Sequence, residues 1–245
     1  MQRGLDMKQF LKVLGICALA LPIFAPQIAA ADGATSARFS VSIRGLTAGY
    51  LTIKGKEDAG AYSASGVLQS GGLVGLVAKV KYTASSSGRV NGSSFSPSRY
   101  DESANTGKRK SSASMSYRGG IPMVSDFEPG PNAVTPSTQK GTVDPMTALY
   151  AAFRDVNADE VCKLNVKMFD GKRRSQVRLA SPRAEGDRIK CDGEYRRLAG
   201  FSAEDMAEKS RFPFNMFYAK TADGRYRVEK VVTHTLYGNA VMKRK

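Results

Sequence analysis

His234 is the only histidine in the chain, so imidazole chemistry would have to run through it. It sits in Val232-Thr233-His234-Thr235-Leu236, which alternates like a strand and brings no visible serine or carboxylate partner. A lone strand histidine of this kind reads as structural or surface. Ser137-Thr138-Gln139-Lys140 has the Ser-x-x-Lys spacing of penicillin-binding nucleophiles. That chemistry needs the serine to open a buried helix, one turn from the lysine. Here Pro136 and Gly141 bracket a loop, the companion motifs are missing, and there is no Gly-x-Ser-x-Gly elbow. Paired carboxylates would serve glycan hydrolysis. However, Asp58, Asp170 and Asp223 stand in turns, and Glu204, Asp205 and Glu208 read as the solvated face of a short helix. The expectation is a protein without catalytic residues, with no metal and no cofactor.

The cysteines depend on compartment. Lys8 and Lys12, an apolar run from Leu14 to Phe24, and Ala29-Ala30-Ala31 follow the basic, apolar, small order of a secretory signal. We expect residues 1–31 to be a signal peptide and residues 32–245 to be one β domain exported to the periplasm. An uncleaved N-terminal anchor is the alternative, and Met7 is a second plausible start. Cys17 falls in the discarded segment, which leaves Cys162 and Cys191. An even number in an oxidising compartment points to a disulfide; two buried free thiols are the alternative. Redox Cys-x-x-Cys and zinc-finger spacings are absent.

The formal net charge is +15. In a cell envelope such a charge attracts anionic headgroups or acidic polymers, and nucleic acid is not an expected partner. The charge is uneven. Residues 163–197 hold eleven Lys or Arg against five acids, and residues 119–162 hold two against six. This predicts opposite faces or ends of differing sign, for contact with an anionic surface; ordinary solubility charge is the alternative reading.

These residues must be positioned mostly by strands. Phe39, Val41 and Ile43 alternate with polar neighbours, and Tyr50–Lys54 and Ala61–Val67 continue a meander through Asp58-Ala59-Gly60. Arg99–Ser103 and Ser112–Tyr117 read as strands around a basic turn at 105–110. Prolines 122, 129, 131 and 136 mark an irregular crossing. Asp144 is placed to cap a helix opened by Pro145, with Met146, Leu149, Tyr150 and Phe153 on one face. Leu164, Val166 and Met168 lead to a two-residue turn at Asp170-Gly171. Strands carrying Val177, Cys191, Phe214–Tyr218 and Tyr226–Val232 follow. The fold class is mainly β: a single curved antiparallel sheet or half-barrel packed around one or two helices.

Two runs are unusually apolar: Leu73, Val74, Leu76 and Val77, and Phe212, Phe214, Met216 and Phe217. In a curved sheet such runs form core, or they line a cavity for an acyl chain. Met146, Leu149 and Phe153 of the helix are the obvious cover. Lys79 and Lys81 are the expected contacts for an anionic headgroup.

Asp144-Pro145-Met146-Thr147-Ala148-Leu149-Tyr150 resembles the "DP-x-[ST]-A-L-Y" helix of the DUF3108 family. Phe169-Asp170-Gly171-Lys172-Arg173-Arg174 resembles that family's "FDG-[KR]-x-R" hairpin, and Phe39 through Gly49 resembles its opening strands. Cys162 and Cys191, with Leu198-Ala199-Gly200, are similar to features of α-proteobacterial members. The resemblance implies a periplasmic protein of unassigned function with no catalytic residues to carry over. The element order also resembles the half-barrel of lipoprotein carriers and their receptors. Three functions follow as expectations: a non-enzymatic envelope protein binding a lipid-like or amphiphilic ligand, a hydrolase of cell-wall or envelope glycans, and a scaffold for another envelope protein. The partners expected are a lipid, an anionic membrane surface or an envelope protein.

Overall fold

The computed structural model describes residues 33–72, 75, 79–235 and 238–245. The sheet is built as a meander from both ends of the chain. The first half supplies β1 (Gly33–Ile43), β2 (Leu46–Asp58), β3 (Ala61–Ser70), β4 (Lys81–Asn91), β5 (Ser94–Asn105), β6 (Lys110–Arg118) and β7 (Ile121–Val124). The second supplies β8 (Asn165–Phe169), β9 (Arg174–Glu185), β10 (Arg188–Ala199), β11 (Arg211–Lys220), β12 (Tyr226–Thr235) and β13 (Gly238–Arg244). Each strand pairs antiparallel with its sequence neighbour inside its half, and β1 pairs with β13 to join the halves into one sheet.

The crossing segment between β7 and β8 ties the two outer edges together. Gly141 N–H bonds Gly120 O beside β7, and Val143 exchanges hydrogen bonds with Lys167 and Phe169 of β8. The result is a barrel-like wrap whose unpaired edges are covered, as a long sheet edge requires. The turns mark two rims. The upper rim carries the β1–β2, β3–β4, β5–β6, β8–β9, β10–β11 and β12–β13 connections; the lower carries the others.

Helix α1 (Pro145–Phe153) fills the lower half of the wrap. Asp144 caps it, accepting from Thr147 N–H at 2.8 Å, and Pro145 takes the first turn, where no amide is needed. Glycines make room for its large side chains. A Cβ at Gly55 would run into the Tyr150 ring, and one at Gly66 would lie 2.9 Å from Met146 Sδ. Phe39, Ile53, Tyr62, Tyr100 and Met115 complete this side of the core. After α1 the chain passes beneath the sheet. Val156 pairs with Tyr226, Asp155 holds Arg227 at 2.6 Å, and Cys162 is bonded to Cys191 of β10 with Cα atoms 5.3 Å apart. A short helix α2 (Ala203–Glu208), capped by Ser202, lies on the upper rim.

The fold class agrees with the sequence reading, but several details differ. Strand β4 was not expected, because its Ser-rich sequence lacks an apolar alternation. Its outward positions are polar and its inward ones are small, such as Ala84 and Ser86. The Asp170-Gly171 turn is longer than two residues. Asp170 Oδ1 accepts from Lys172 and Arg173 N–H at 2.9 and 2.7 Å, so the carboxylate organises a four-residue turn.

Candidate functional site: an apolar cavity beneath the upper rim

Helix α1 covers the inner face only in part. Its other stripe, Pro145, Ala148, Leu149, Ala152 and Phe153, faces strands β9 to β13 across a cavity of about 810 Å³. Two alanines on that stripe are why the space stays open. The opposite wall follows from register. Met216 stands beside Val231, which stands beside Met242, as one row across three strands. One step up, Phe214 stands beside Gly193, and a Cβ there would run into the Phe214 ring. One step further, Tyr195 pairs with Phe212, their ring centroids 5.7 Å apart. Such a lining, apolar with polar groups confined to one end, is the usual form of a small-molecule site.

The polar end is the upper rim. Arg197 lies 5.2 and 5.1 Å from the ring centres of Phe201 and Phe212. It donates to Asp205 O at 2.5 Å and to Lys209 O at 2.9 Å, which ties the end of α2 to the cavity mouth. Lys209 Nζ lies 5.2 Å from the Phe212 ring centre. Glu208 and exposed His234 complete the rim, and His234 Nδ1 lies 2.6 Å from Asn239 Oδ1.

Of the residues that the sequence nominates for a ligand cavity, Leu149, Phe153, Phe212, Phe214 and Met216 come together on its lining. Met146 does not line the cavity; it stands at the edge of this stripe, buried against Gly66. Phe217 is turned away as well. It follows Met216 in an alternating strand, so it faces outward, buried beneath Lys190 and Lys230, whose ammonium groups lie 5.8 and 4.0 Å from its ring centre. The same alternation places Tyr218, like Met216, in the core. Leu73, Val74, Leu76 and Val77 lie outside the described residues. Lys79 and Lys81 are exposed on the upper rim but do not line the cavity; Arg197 and Lys209 stand at its mouth instead.

Two buried polar clusters were not foreseen. Ser86 and Thr147 hydroxyls donate to Asp144 Oδ2 at 2.8 and 2.6 Å, and Tyr62 OH lies 2.6 Å from Thr147 Oγ1. Burial raises the Asp144 carboxyl above its ordinary range, against the opposing hydrogen bonds from Thr147 and Ser86. Burial likewise pushes the Tyr62 phenol up to about 12, so it stays neutral. This cluster caps α1 and does not face the cavity. At the lower rim, Arg154 sits between Glu57 and Glu160, and Tyr150 OH donates to Glu57 at 3.1 Å. These groups border a separate polar cleft of about 990 Å³, with both carboxylates engaged by the guanidinium. Ser137 lies in an exposed one-turn 3₁₀ segment, so the Ser-x-x-Lys arrangement lacks its buried helix. Among the described residues no cluster of His, Cys, Asp or Glu is arranged to hold a metal ion.

A barrel-like, mostly antiparallel wrap with an enclosed helix and an apolar cavity defines the class. Residues 38–244 match the family described as "Protein of unknown function (DUF3108)", and the chain belongs to it. No curated protein matches the sequence. Among solved structures it is similar to a β-barrel-like protein of domain of unknown function DUF1849 from Brucella abortus. Identity is 11%, the TM-score is 0.51, and the match covers 86% of this chain and 95% of that one. At that identity the likeness shows the fold alone.

Proposed function

We propose that this chain is a non-enzymatic envelope protein that holds the acyl part of an amphiphile in the cavity between α1 and strands β9 to β13. The cavity carries this reading: about 810 Å³, walled by Leu149, Phe153, Phe214, Met216 and Val231, with cations only at its mouth. Each methylene buried there contributes about 0.8 kcal/mol, so roughly ten suffice for micromolar affinity before ordering costs. Export to the periplasm fits the Lys8-to-Ala31 signal pattern. The buried Cys162–Cys191 disulfide fits the same compartment and supports a place among α-proteobacterial members.

Two measurements test the proposal. Mass spectrometry of organic extracts of the purified protein should find a co-purifying amphiphile. Titration with a fluorescent fatty acid or phospholipid analogue, below its micelle concentration, should saturate near one per chain. A folded protein that shows neither result is not a carrier, and the scaffold reading takes its place.

A further inference from the structure

We infer that one sector of the upper rim, formed by the links of strands β1 to β6, docks on an anionic phospholipid bilayer. Five large apolar side chains are exposed among the described residues, and four of them fall in this sector: Ile43 (37%), Leu46 (59%), Leu68 (40%) and Tyr82 (43%). Ile43 and Leu46 flank the β1–β2 turn as a register pair, and Leu68 and Tyr82 pair directly between β3 and β4. Scattered exposed apolar residues need no explanation, but adjacent ones at a single end of a sheet do.

The charges around them have one sign. Arg44, Lys79, Lys81, Lys108, Arg109 and Lys110 stand in or beside the same three links, all exposed. Residues 44–47, 79–83 and 104–112 contain no carboxylate. The links touch one another, so the patch is continuous. Gly71 N–H bonds Ala48 O at 3.0 Å, and a Cβ at Gly107 would lie 3.3 Å from Lys79 O. Apolar tips inside a ring of lysines and arginines match a bilayer surface, where the tips enter the headgroup layer and the cations meet lipid phosphates. A protein partner would need complementary acids at defined positions; here the cations are exposed side chains, and four of the six are lysines, which act as solvated point charges.

The sector shares its rim with the cavity mouth, so docking would present the mouth to the lipid. In this respect the inference deepens the carrier reading, although it stands on separate residues.

The test is co-sedimentation of folded protein, its N-terminus defined by mass spectrometry, with vesicles. One set contains phosphatidylglycerol and phosphatidylethanolamine; the other contains phosphatidylcholine alone. Binding should require phosphatidylglycerol and weaken with salt. Leu46→Asp should abolish it. The triple change Lys108→Gln, Arg109→Gln and Lys110→Gln should weaken it about a hundredfold, at about fivefold per charge. Arg118→Gln on the lower rim should leave it unchanged. Both rim variants should bind the fluorescent acyl analogue like the parent, which also reports that they fold. Equal binding to the two vesicle types, no binding, or indifference to the rim variants would overturn the inference. Vesicle binding without analogue binding would instead sink the cavity reading and leave docking standing.

Discussion

Replacing Ala152 with leucine should separate a cavity from a filled core. Ala152 lies near the C-terminal end of the α1 stripe that faces strands β9 to β13. Alanine and leucine have similar helix propensities, so the backbone is not the issue. Leucine adds about three buried carbon groups, at about 0.8 kcal/mol each, or about 2 kcal/mol in all. If the space is open, the ligand-free protein gains most of that, and its melting temperature rises by about 5 °C. The same carbons occupy volume that an acyl chain would use, so analogue affinity should fall about thirtyfold. Differential scanning calorimetry without ligand and fluorescence titration with it read the two effects. A melting temperature that falls instead means overpacking, which costs about 1–3 kcal/mol, and would show that the helix already fills the wall. A raised melting temperature with unchanged affinity would place the ligand elsewhere.

Asp144→Asn removes a carboxyl whose native pKa is raised by burial. A raised native value makes a stabilising contribution that is complete below the ordinary carboxylate value of about 4 and is lost as pH climbs through the native value. The unfolding free energy of wild type relative to Asp144→Asn should therefore decline from pH 4 to 7 in urea titrations; a difference that grows with pH would refute this. The Cys162→Ser, Cys191→Ser double variant releases a 29-residue separation and should lose about 3–4 kcal/mol on the chain-entropy account. Equal stability with and without reductant would contradict it. Lys243 stands directly opposite Lys230 on the outer face. Lys243→Glu should stabilise by about 0.2–1 kcal/mol at low salt, with the gain shrinking as salt is added.

How much of this was legible in the sequence depends on what each residue faces. Phe39, Val41 and Ile43, or Phe212, Phe214 and Met216, announce strands because one side of each strand meets apolar neighbours. Asp144 and Pro145 announce the helix because capping is local. Strand β4 gives no such signal, since its outward serines meet water and its inward Ala84 and Ser86 must be small beneath α1. Phe217 reads as a cavity residue because composition alone does not show on which face lysine stems cover a ring. Met146 and Leu149 share a helical face in the periodic pattern and both reach Gly66 of β3, but only Leu149 also lines the cavity. The sequence points to headgroup cations near the first apolar run, whereas the cavity mouth lies beside Arg197 near the end of β10 and Lys209 in the β10–β11 connection. The Ser86–Asp144–Thr147–Tyr62 cluster joins strands and a helix far apart in sequence, so no local spacing predicts it.

The seam between β1 and β13 has a consequence for how the molecule is assembled. Ser40 Oγ donates to the carbonyl of Lys243, 203 positions away, and Lys245 N–H bonds Arg38 O. The two half-sheets are local meanders able to form early, but neither can close its central edge until the last strand arrives. A nascent chain lacking β13 therefore exposes the unpaired side of β1, a template for pairing with other chains. Closure across so long a loop is slow compared with hairpin formation. Loss of even the final seven or eight residues should thus yield an aggregation-prone intermediate, whereas a break introduced at a lower-rim turn such as Gly186–Asp187, with the two ends joined, should leave the seam intact and the protein able to fold.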